Sequence, residues 1–398
     1  MTSKTVQIKN FLGVDNVASP ERLAAGWLQS AVNVDITPEG AITRRPGRTL
    51  AMSGAFTAAY GTKDQADERL YVVDGGSMKQ IQPDMSALVL ATGLSNDPMY
   101  WAEVNGATYF SNGPDKGVIQ QDGIIQVWDW PMPDAPTVSA IGGSMPSGQY
   151  GVACTFTLPD GRETGASDTQ TIALGTAGGL LISQIPHIDG LQTNVYISPA
   201  DSTVCQYACT TTLQTLTWNA SPDALGEELL THGMEPIPEG ARIITAWRGR
   251  LWAAQYLSTT NTTVVWMSEP LGFHLFNPQT GFIQIPGEVT MLLAHDDGLV
   301  IGSRSAVWEW SGEALVQLAG YGVPAGHPGA RDEETGDCYF WTDRGLCRAL
   351  PFSNLTAGRL HTDPGTHAST AIVQHAGLKK LVATTRPSGA VFNPRTTS

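Results

Sequence analysis

One pattern of apolar and polar positions recurs along this chain. Each copy has a short apolar strand, a turn of small or acidic residues, and a second strand rich in Val or Trp. The copies are RLYVVDGGSMKQI from Arg69, GATYFSNGPDKGVIQ from Gly106, RLWAAQYLSTTNTTVVWMS from Arg250, GLVIGSRSAVWEWSG from Gly298, DCYFWTDRGLCRA from Asp337 and KKLVATTRPSGAVFN from Lys379. Clean intervals between copies are about 40 residues, the length of a four-stranded propeller blade. A lone hairpin is marginal in water, whereas stacked hairpins bury one continuous core.

We therefore predict an all-β fold, a β-propeller-like ring of blades with an inserted fibronectin/Ig-like β-sandwich. Each copy is predicted to be the inner hairpin of one blade, and its second strand carries the aromatic residue that packs on the next blade. The stretch VVWMSEPLGFHLFNPQTGFIQIP, residues 264–286, is one such module, with turns at Pro270 and Asn277-Pro278. A generic multi-sheet protein is the alternative, since any β-rich chain contains hairpins.

The repeat stops between Trp130 and Glu235. WPMPDAPTV marks a linker, and GQYGVACTFTLPDGRETGAS, GLLISQIP, TNVYISPADSTVCQYACTTTL and QTLTW then alternate as short strands. Turns every 8 to 12 residues, including a hairpin turn at Asp160-Gly161, are typical of a sandwich. The tyrosine segment resembles fibronectin type III modules. The predicted organisation is an N-terminal segment with the first blades (1–135), an inserted sandwich (136–220) and the remaining blades (236–398).

The N-terminal segment has its own pattern. Ser19 before Pro20 predicts a capped helical turn over Pro20 to Ala31. Two strands, SAVNVDIT and AITRRPG, then flank a turn at Pro38-Glu39-Gly40. This hairpin could complete the ring by lending a strand to the last blade. Arg44 and Arg45 give it local positive charge, which suits surface ion pairs or, as a sharper alternative, an acidic groove on a partner.

Composition supports the β assignment and limits the function. The chain has 43 Gly, 25 Pro and only 15% charged residues, which favours short strands and turns over long helices. Its net charge of −14 argues against a surface that grips phosphates, because nucleic-acid binders cluster Lys and Arg. Acidic walls could instead let DNA slide past, although the acidity could serve solubility alone.

The cysteine count and the chain start bear on compartment. Five cysteines and no CxxC pair favour free thiols in a reducing cytoplasm. Cys205 and Cys209 are spaced to share a strand face, where they could bind metal only with a second pair. MTSKTVQIKNFLG lacks a signal-peptide core, and no apolar run reaches membrane-spanning length. We expect synthesis in a cytoplasm.

Candidate chemical residues in this sequence are isolated side chains rather than established motifs. The sequence has no His-Glu-x-x-His, Gly-x-Ser-x-Gly, P-loop or Gly-x-Gly-x-x-Gly motif. Minor possibilities are a nucleophile at Ser303 or Ser305, a metal at His361, Asp363 and His367, and a glycosidase pair among the acids; loop and turn roles are favoured for each. Those acids are Asp296, Asp297, Asp332, Glu333 and Glu334. Trp266, Trp308, Trp310 and Trp341 could stack on sugars, but core packing is favoured. We predict no catalytic, cofactor-binding or metal site and no cofactor.

Several of these segments carry a resemblance. GVDNVASPERLAAGWLQSAVNVDITPEGAITRRPG, GRLWAAQ, VVWMSEPLGFHLFNPQTGFIQIPGEVTMLLAHDDGLVIGSRSAVWEWSG and CYFWTDRGLCRALPFSNLT resemble segments of tailed-bacteriophage virion structural proteins. The nearest group is the β-propeller nozzle, or packaged-DNA stabilisation, proteins of short-tailed phages. The short C-terminal end, RPSGAVFNPRTTS, departs from that group because it leaves little room for further tail-tip domains.

The resemblance implies a non-enzymatic role in the virion tail, as a nozzle or hub. Such proteins assemble as rings, here expected to be hexamers, below the portal and adaptor, and they retain and then conduct double-stranded DNA without sequence-specific binding. Expected partners are other copies of the chain, the portal and adaptor, and other tail proteins, with no membrane span. The alternatives are a tail-associated polysaccharide-binding or depolymerising protein, another minor virion protein of a long-tailed phage, and a cellular propeller adaptor.

Overall fold

The computed structural model describes residues 10–47, 49–62, 68–375, 377–387 and 389. Within this part of the chain, strands make up nearly all of the regular structure, and helix is limited to two 3-10 turns. Most sheets are small and antiparallel. The predicted fold class is confirmed: the chain is all-β, with blade-like four-stranded sheets and an inserted β-sandwich.

The N-terminal segment contains two short strand pairs. They are β1 (Gly13–Val14) with β2 (Trp27–Leu28), around a 3-10 turn at Pro20–Arg22, and β3 (Val34–Ile36) with β4 (Ile42–Arg44). Two four-stranded antiparallel sheets follow. The first contains β5 (Phe56–Gly61), β6 (Leu70–Asp74), β7 (Ser77–Ile81) and β8 (Ala87–Thr92), and the second contains β9 (Tyr100–Val104), β10 (Ala107–Ser111), β11 (Lys116–Ile119) and β12 (Ile125–Gln126).

The sandwich has a three-stranded and a four-stranded sheet. Its strands are β13 (Thr137–Met145), β14 (Gly148–Thr157), β15 (Gln170–Leu174), β16 (Gly178–Ser183), β17 (Gln192–Ile197), β18 (Gln206–Thr211) and β19 (Thr215–Trp218). The strand orders are β13-β16-β19 and β15-β14-β17-β18. A 3-10 turn at Pro222–Ala224 follows.

The remaining strands form four sheets. One has the order β20-β21-β22-β23, with β24 also paired to β22; its strands are β20 (Ile243–Trp247), β21 (Arg250–Leu257), β22 (Thr262–Glu269), β23 (Gly272–Phe276) and β24 (Phe282–Pro286). The next contains β25 (Val289–Ala294), β26 (Leu299–Ser303), β27 (Val307–Trp310) and β28 (Leu315–Ala319). The last strands are β29 (Ala325–His327), β30 (Gly329–Arg331), β31 (Cys338–Thr342), β32 (Gly345–Arg348), β33 (Ser353–Asn354), β34 (His367–His375) and β35 (Leu378–Arg386), in the sheets β30-β31-β32-β33 and β29-β34-β35.

Five of the six repeated segments form the predicted hairpins. They are β6–β7, β10–β11, β21–β22, β26–β27 and β31–β32, each the middle pair of its sheet. The middle strands β10 and β26 are buried at every position. A strand covered on both faces has a continuous apolar run, whereas a half-exposed strand alternates. The sixth segment is different, because Lys379 lies in β35, which pairs with β34, and Ala390 to Asn393 lie outside the described residues.

The chain divides into two compact units. One comprises Met1–Met99, Tyr256–Thr263 and Ile285–Ser398, and the other comprises Tyr100–Gln255 and Val264–Gln284. In the first unit, the sheets β25–β28 and β30–β33 share a core that includes Met291, Val300 and Phe340. The sequence predicts the packing aromatic residue on the second strand of the hairpin. The aromatic residue of this core, Phe340, instead lies on the first strand, β31.

In the second unit, the sandwich encloses its own core. Side chains from alternate positions of three strands meet between the two sheets, and they are Val152, Cys154, Leu180, Ile182, Val195 and Ile197. This period of two is the pleat of a strand with one face buried. The predicted turn at Asp160-Gly161 is also present, with Gly161 at φ +83 and its amide bonded to the Leu158 carbonyl at 2.9 Å.

The predicted helix from Pro20 to Ala31 is wrong beyond its first turn. Only Pro20–Arg22 is helical, and Ser19 makes no side-chain capping bond. The chain leaves the turn at Leu23 in an extended conformation, and Trp27 then pairs in parallel with Gly13. Strand pairing therefore overrides the local helical signal, which is weak in a short segment.

The predicted hairpin after this turn is confirmed as β3–β4, with Gly40 at φ +75 in its turn. A Cβ at Gly40 would lie 2.6 Å from the Cα of Asn10, so the turn also requires glycine for close backbone approach. Among the described residues, β3 pairs only with β4. The expected lending of this strand to another sheet is therefore not seen in the described part of the chain.

The N-terminal segment is held to a distant loop of the same unit by Asn16. Its side chain donates to the His361 carbonyl at 2.7 Å and accepts the His361 amide at 2.8 Å. The Asn16 amide also bonds to the carbonyl of Arg359, whose guanidinium lies 4.3 Å from the centre of the Trp27 ring. These contacts join residues 345 apart in sequence.

Cys205 and Cys209 do not share a face, which corrects the spacing argument. Cys205 precedes β18 and packs with Ala153 and Leu229, whereas Cys209 packs against the sandwich core. The β17–β18 register shifts at Val195, and such an irregularity inserts an extra residue that reverses facing. None of the five cysteines forms a disulfide. Burial raises the pKa of the Cys154 thiol to about 12, so it is an unreactive core side chain.

The sandwich core predicts a stability test at Leu180, which is fully buried. Leu180→Ala should lower the free energy of unfolding of the sandwich transition by about 2–5 kcal/mol, because it loses apolar burial and leaves a cavity. Urea denaturation followed by tryptophan fluorescence measures the loss. Leu213→Ala is the control, since Leu213 is 66% exposed and should change stability by less than about 0.5 kcal/mol. Equal effects from the two variants would contradict the assigned core.

The Asn16 contacts predict local opening of the N-terminal segment. Asn16→Ala leaves two backbone groups of His361 without their partners, at a cost of about 1–3 kcal/mol. Hydrogen exchange of residues 10–30 and 355–365 should accelerate. Ser19→Ala, which removes a hydroxyl that makes no capping bond, should leave exchange unchanged. Unchanged protection in Asn16→Ala would show that other contacts hold the segment.

Candidate functional site

The two candidate serines serve the turn that carries them. Ser303 is fully buried, and its hydroxyl donates to the Ala306 carbonyl at 3.1 Å. The same oxygen accepts the amides of Ser305 at 3.4 Å and Ala306 at 3.0 Å. A hydroxyl occupied in this way closes the β26–β27 turn. The structure thus places Ser303 in a turn-stabilising role.

The proposed metal triplet is not assembled. The His361 backbone is bound by Asn16, Asp363 accepts the Gly365 amide at 2.9 Å, and His367 lies at the start of β34. In the described ranges, no three His, Cys, Asp or Glu side chains gather as ligands for a metal.

The acidic residues of the β30–β31 loop are held in ion pairs. Lys379 contacts Asp332 at 2.7 Å and Glu334 at 2.6 Å, and the hydrogen bond from Lys379 holds the pKa of Asp332 below its usual range. Arg331 likewise contacts Asp296 at 2.9 Å and lowers its pKa. A glycosidase needs one carboxyl group with a raised pKa to act as the acid. The pKa values of Asp332 and Asp296 are shifted in the opposite direction, which fits structural roles in loops.

Asp343 is a described carboxyl group whose pKa is raised, and burial is the main cause. One carboxylate oxygen accepts the Gly322 amide at 3.1 Å, which favours the charged form, as does Arg304. No sequence motif marks this residue. Its raised pKa provides the test of the enzymatic alternative below.

The candidate tryptophans pack within the fold. The Trp266 ring lies 5.2 Å from that of Phe282, and its indole N–H donates to Gln255 at 3.0 Å. Trp341 is buried and donates to the Pro364 carbonyl at 3.3 Å. Trp308 and Trp310 lie half-buried in β27. The preference for packing over sugar stacking agrees with these positions.

A polar cleft lies between β4 and β35. Arg44, Arg45, Pro46 and Gly47 line one wall, and Val382 to Thr384 line the other, around a cavity of about 730 Å³. Asp35 joins the walls through Arg45 at 3.2 Å and Lys380 at 2.7 Å. The bond from Lys380 is the main cause of a lowered pKa at Asp35. Arg45 therefore has the surface ion-pair role, whereas Arg44 is exposed beside the cleft.

A second group of ionisable residues lies in the other unit, around the turn that follows β14. We call Asp160, Arg162, Glu163 and His274 the polar turn cluster; of the four, only His274 is fully buried. Arg162 is bonded to Asp160 at 2.6 Å and donates to Nδ1 of His274 at 2.9 Å. Because arginine can only donate, Nδ1 accepts and the imidazole carries its proton on Nε2. That Nε2–H donates to the Glu163 carbonyl at 2.8 Å.

Electrostatics fix the charge states of this cluster. Burial lowers the pKa of His274, and the adjacent Arg162 charge lowers it further, so the ring is neutral. Burial opposes the charge on Arg162, but its contact with Asp160 outweighs burial and raises the arginine pKa. The carboxyl of Asp160 shows the matching effect: burial would raise its pKa, and the bond to Arg162 lowers it.

Glu163 completes the cluster on the sandwich side. Its carboxylate accepts bonds of 2.8 Å from Thr155, Asn194 and Tyr196. Burial and this carboxylate raise the pKa of Tyr196. A carboxylate with three donors is held in one orientation. The arrangement is suited to fixing the turn after β14 in place.

Both linkers of the sandwich are also fixed. Trp128 donates to the Phe273 carbonyl at 2.8 Å and stacks edge-on with Tyr109 at 5.1 Å, while Trp130 packs against Phe156 and neighbouring apolar side chains. On the return linker, a Cβ at Gly165 would lie 1.9 Å from the Met234 carbonyl oxygen, so that approach requires glycine. The sandwich is held rigidly within its unit by packing and hydrogen bonds.

Sequence reasoning missed this cluster. The local trace of the cluster is the pair Arg162-Glu163, directly after the Asp160-Gly161 turn. Charged residues beside a hairpin turn are ordinarily solvated, so this pair does not by itself indicate a cluster. The partner His274 is 112 residues away from Arg162 in sequence, and no local pattern connects them.

Comparisons with known proteins add little beyond the fold. No family model matches the chain, and no curated protein matches it. Among solved structures, it is similar to a streptogramin B lyase (10% identity, 81% of this chain and 89% of that chain, TM-score 0.34) and to virginiamycin B lyase from Staphylococcus aureus (10%, 80% and 88%, 0.32). It is also similar to Kluyveromyces lactis Hsv2 (8%, 83% and 90%, 0.31). At these identities and TM-scores, the likenesses say nothing about activity or ligands.

The His274 environment predicts a pH dependence of stability. The folded-state pKa lies below the ordinary 6.5, so between those two values the unfolded chain binds more protons and acidification lowers the free energy of unfolding. The wild type should lose stability as the pH falls below about 6.5. His274→Gln should reduce that slope, measured by urea unfolding from pH 7.5 to 5.

The control for this measurement is Leu213→Ala. Leu213 is 66% exposed and has no ionisable group, so its replacement should preserve the wild-type slope. Burial also lowers the pKa of His327 in the other unit, so some pH dependence should remain in His274→Gln. An unaltered slope in His274→Gln would contradict the assigned neutral, buried state.

Proposed function

We propose that this chain is a structural component of a bacteriophage tail. It forms a ring, expected to be a hexamer, at the level of a nozzle or hub below the portal and adaptor, and the ring retains and then conducts the DNA during ejection. The site of action is the virion tail. The N-terminal and blade segments that resemble tailed-phage virion proteins support this assignment.

The observation that carries the proposal is the rigid attachment of the sandwich. Its turn at Asp160-Gly161 is bonded through Arg162 to His274 on β23, and both linkers are packed. A binding module on mobile linkers must be ordered when it docks, whereas a fixed one loses little entropy on assembly. A rigid sandwich is therefore suited to permanent contacts with neighbouring tail proteins.

Charge supports the conduction of DNA. The chain has 37 acidic and 23 basic residues, so many carboxylates remain after the ion pairs are formed. Contacts to phosphate provide most of the non-specific affinity for DNA, and an acidic surface does not provide them. DNA would pass such a surface without being retained by it.

The proposed function includes no enzymatic activity. The acids and serines marked by the sequence lie in turns and ion pairs, and Glu163 is saturated by donors. The competing function is a polysaccharide-binding or depolymerising tail protein, and the raised pKa of Asp343 is the observation in its favour. In the described ranges, the helices are three-residue turns, none long or apolar enough to cross a membrane.

The proposal predicts a ring without DNA affinity. Light scattering and negative-stain microscopy of the purified chain should show a closed oligomer, six times the chain mass for a hexamer. Fluorescence anisotropy with a double-stranded oligonucleotide at physiological salt should give a dissociation constant weaker than about 10⁻⁴ M, the weak end for non-specific binders. A monomer at all concentrations, or tight DNA binding, would contradict the proposal.

Sugar release from host-envelope polysaccharide separates the competing function. Wild type and Asp343→Asn should both release none if the chain is structural. Release by the wild type that Asp343→Asn abolishes would establish the enzymatic alternative.

A further inference from the structure

Strand β8 is an uncharged edge of its sheet. It has the sequence ALVLAT, and among the described residues it pairs only with β7. Leu88 is 52% exposed and Val89 is 51% exposed. Unpaired backbone groups together with exposed aliphatic side chains make an edge that attracts another strand.

The last strands of three other four-stranded sheets are less able to pair with a further strand. β12 and β33 have two residues each, which is too short to recruit a partner. β28 is longer, but Gln317 interrupts its apolar run beside the exposed Val316. Short or polar edges are the usual protection against association. β8 lacks that protection, so its apolar edge calls for a covering partner.

The way in which β8 is exposed indicates how it is covered. Leu88 lies opposite Gln80 and Val89 lies opposite Lys79 on β7. Consecutive residues of a strand point to opposite faces of the sheet, so these two side chains are exposed on both faces. A partner lying on one face would cover only one of them. A strand that adds along the edge flanks both, and it also satisfies the free backbone groups.

Charge selects the edge that can meet β8. The acids Asp84 and Asp97 lie near the two ends of β8, and the chain as a whole is acidic. Most of the surface of a second copy would therefore repel the two ends of β8, because like charges repel. β35 is the longest edge strand of this unit within the described ranges, with nine residues that pair only with β34. Arg386 ends β35, and Arg44 lines the cleft beside it.

The receiving edge has space and complementary chemistry. The cleft of about 730 Å³ lies along Val382 to Thr384, with Arg44 on its opposite wall. Arg44 and Arg386 are exposed and have no ion pair among the described residues, whereas Lys380 and Arg45 are bonded to Asp35. Apolar β8 side chains would meet Val382 and Ala383, and the acids at its ends would approach the two free arginines.

We propose that β8 of one copy of this chain adds to the edge of β35 of a second copy. The two edges are different, so each copy offers one of each, and the contact is heterologous. Repeated head-to-tail contacts close into a ring when the rotation permits. The inference rests on the proposed ring and names the surfaces that build it.

The first test compares matched lysine substitutions. Leu88→Lys puts a positive charge on the β8 edge, facing Arg44 and Arg386, and should raise the dissociation constant of the oligomer at least about tenfold. Val316→Lys is the control, because Val316 is equally exposed, at 52%, on β28. Sedimentation velocity over a concentration series gives the assembly constants, and circular dichroism checks the fold. Val89→Asn, which introduces no charge, replaces Leu88→Lys if that variant does not fold.

The second test mixes two defective copies. Val89→Asn, which adds no charge that could pair with the new glutamates, retains its β35 edge, and Arg44→Glu/Arg386→Glu retains its β8 edge. Heterologous pairing predicts that the mixture stops at a 1:1 dimer. Pairing of β8 with β8 of another copy would instead let the double-glutamate variant dimerise alone, and that result overturns the inference.

The remaining outcomes separate this inference from the proposed function. An oligomer in the wild type that survives both Leu88→Lys and Val89→Asn refutes the β8 contact and leaves the ring intact. A wild type that stays monomeric refutes the ring and this contact together.

Discussion

The main constraint on this fold is the need to cover both faces of small sheets. The middle strands β10 and β26 are buried at every position, so each sheet needs neighbours on both sides. The shared core of Met291, Val300 and Phe340 shows how two consecutive sheets meet this need within one unit. A four-stranded sheet of this size has too little core to be stable alone. Turns and loops are then left with the exposed polar groups.

That constraint also explains where the charged residues lie. Acids excluded from the stacked sheets gather in loops, where Lys379 and Arg331 neutralise several of them. Such exposed pairs add little stability, but they fix loop conformations and leave the chain with a net negative surface. At the polar turn cluster, the partly buried Arg162 and Glu163 are both hydrogen-bonded. There the hydrogen bonds from Arg162 to His274 and from His274 to the Glu163 carbonyl join the sandwich to β23.

The two proposed association features follow different physical rules. The sandwich is rigid because buried groups need all their partners, and breaking one bond leaves another group unsatisfied. The β8 edge favours association with another strand, because its outer backbone groups and its aliphatic side chains lack partners within the described chain. The proposed role in a tail would require both: a shape fixed before assembly, and at least one surface whose exposure is relieved by assembly.

The sequence by itself determined the all-β class, five hairpins, and the turns at Asp160-Gly161 and Pro38-Glu39-Gly40. These depend on local signals, because alternation and glycine turns act over a few residues. Tertiary structure alone decided the rest. The helix expected from Pro20 to Ala31 gave way to the pairing of Trp27 with Gly13, and Cys205 and Cys209 were separated by a register shift. The contact between Arg162 and His274 joins residues that no local pattern connects, because it depends on where the inserted sandwich lies.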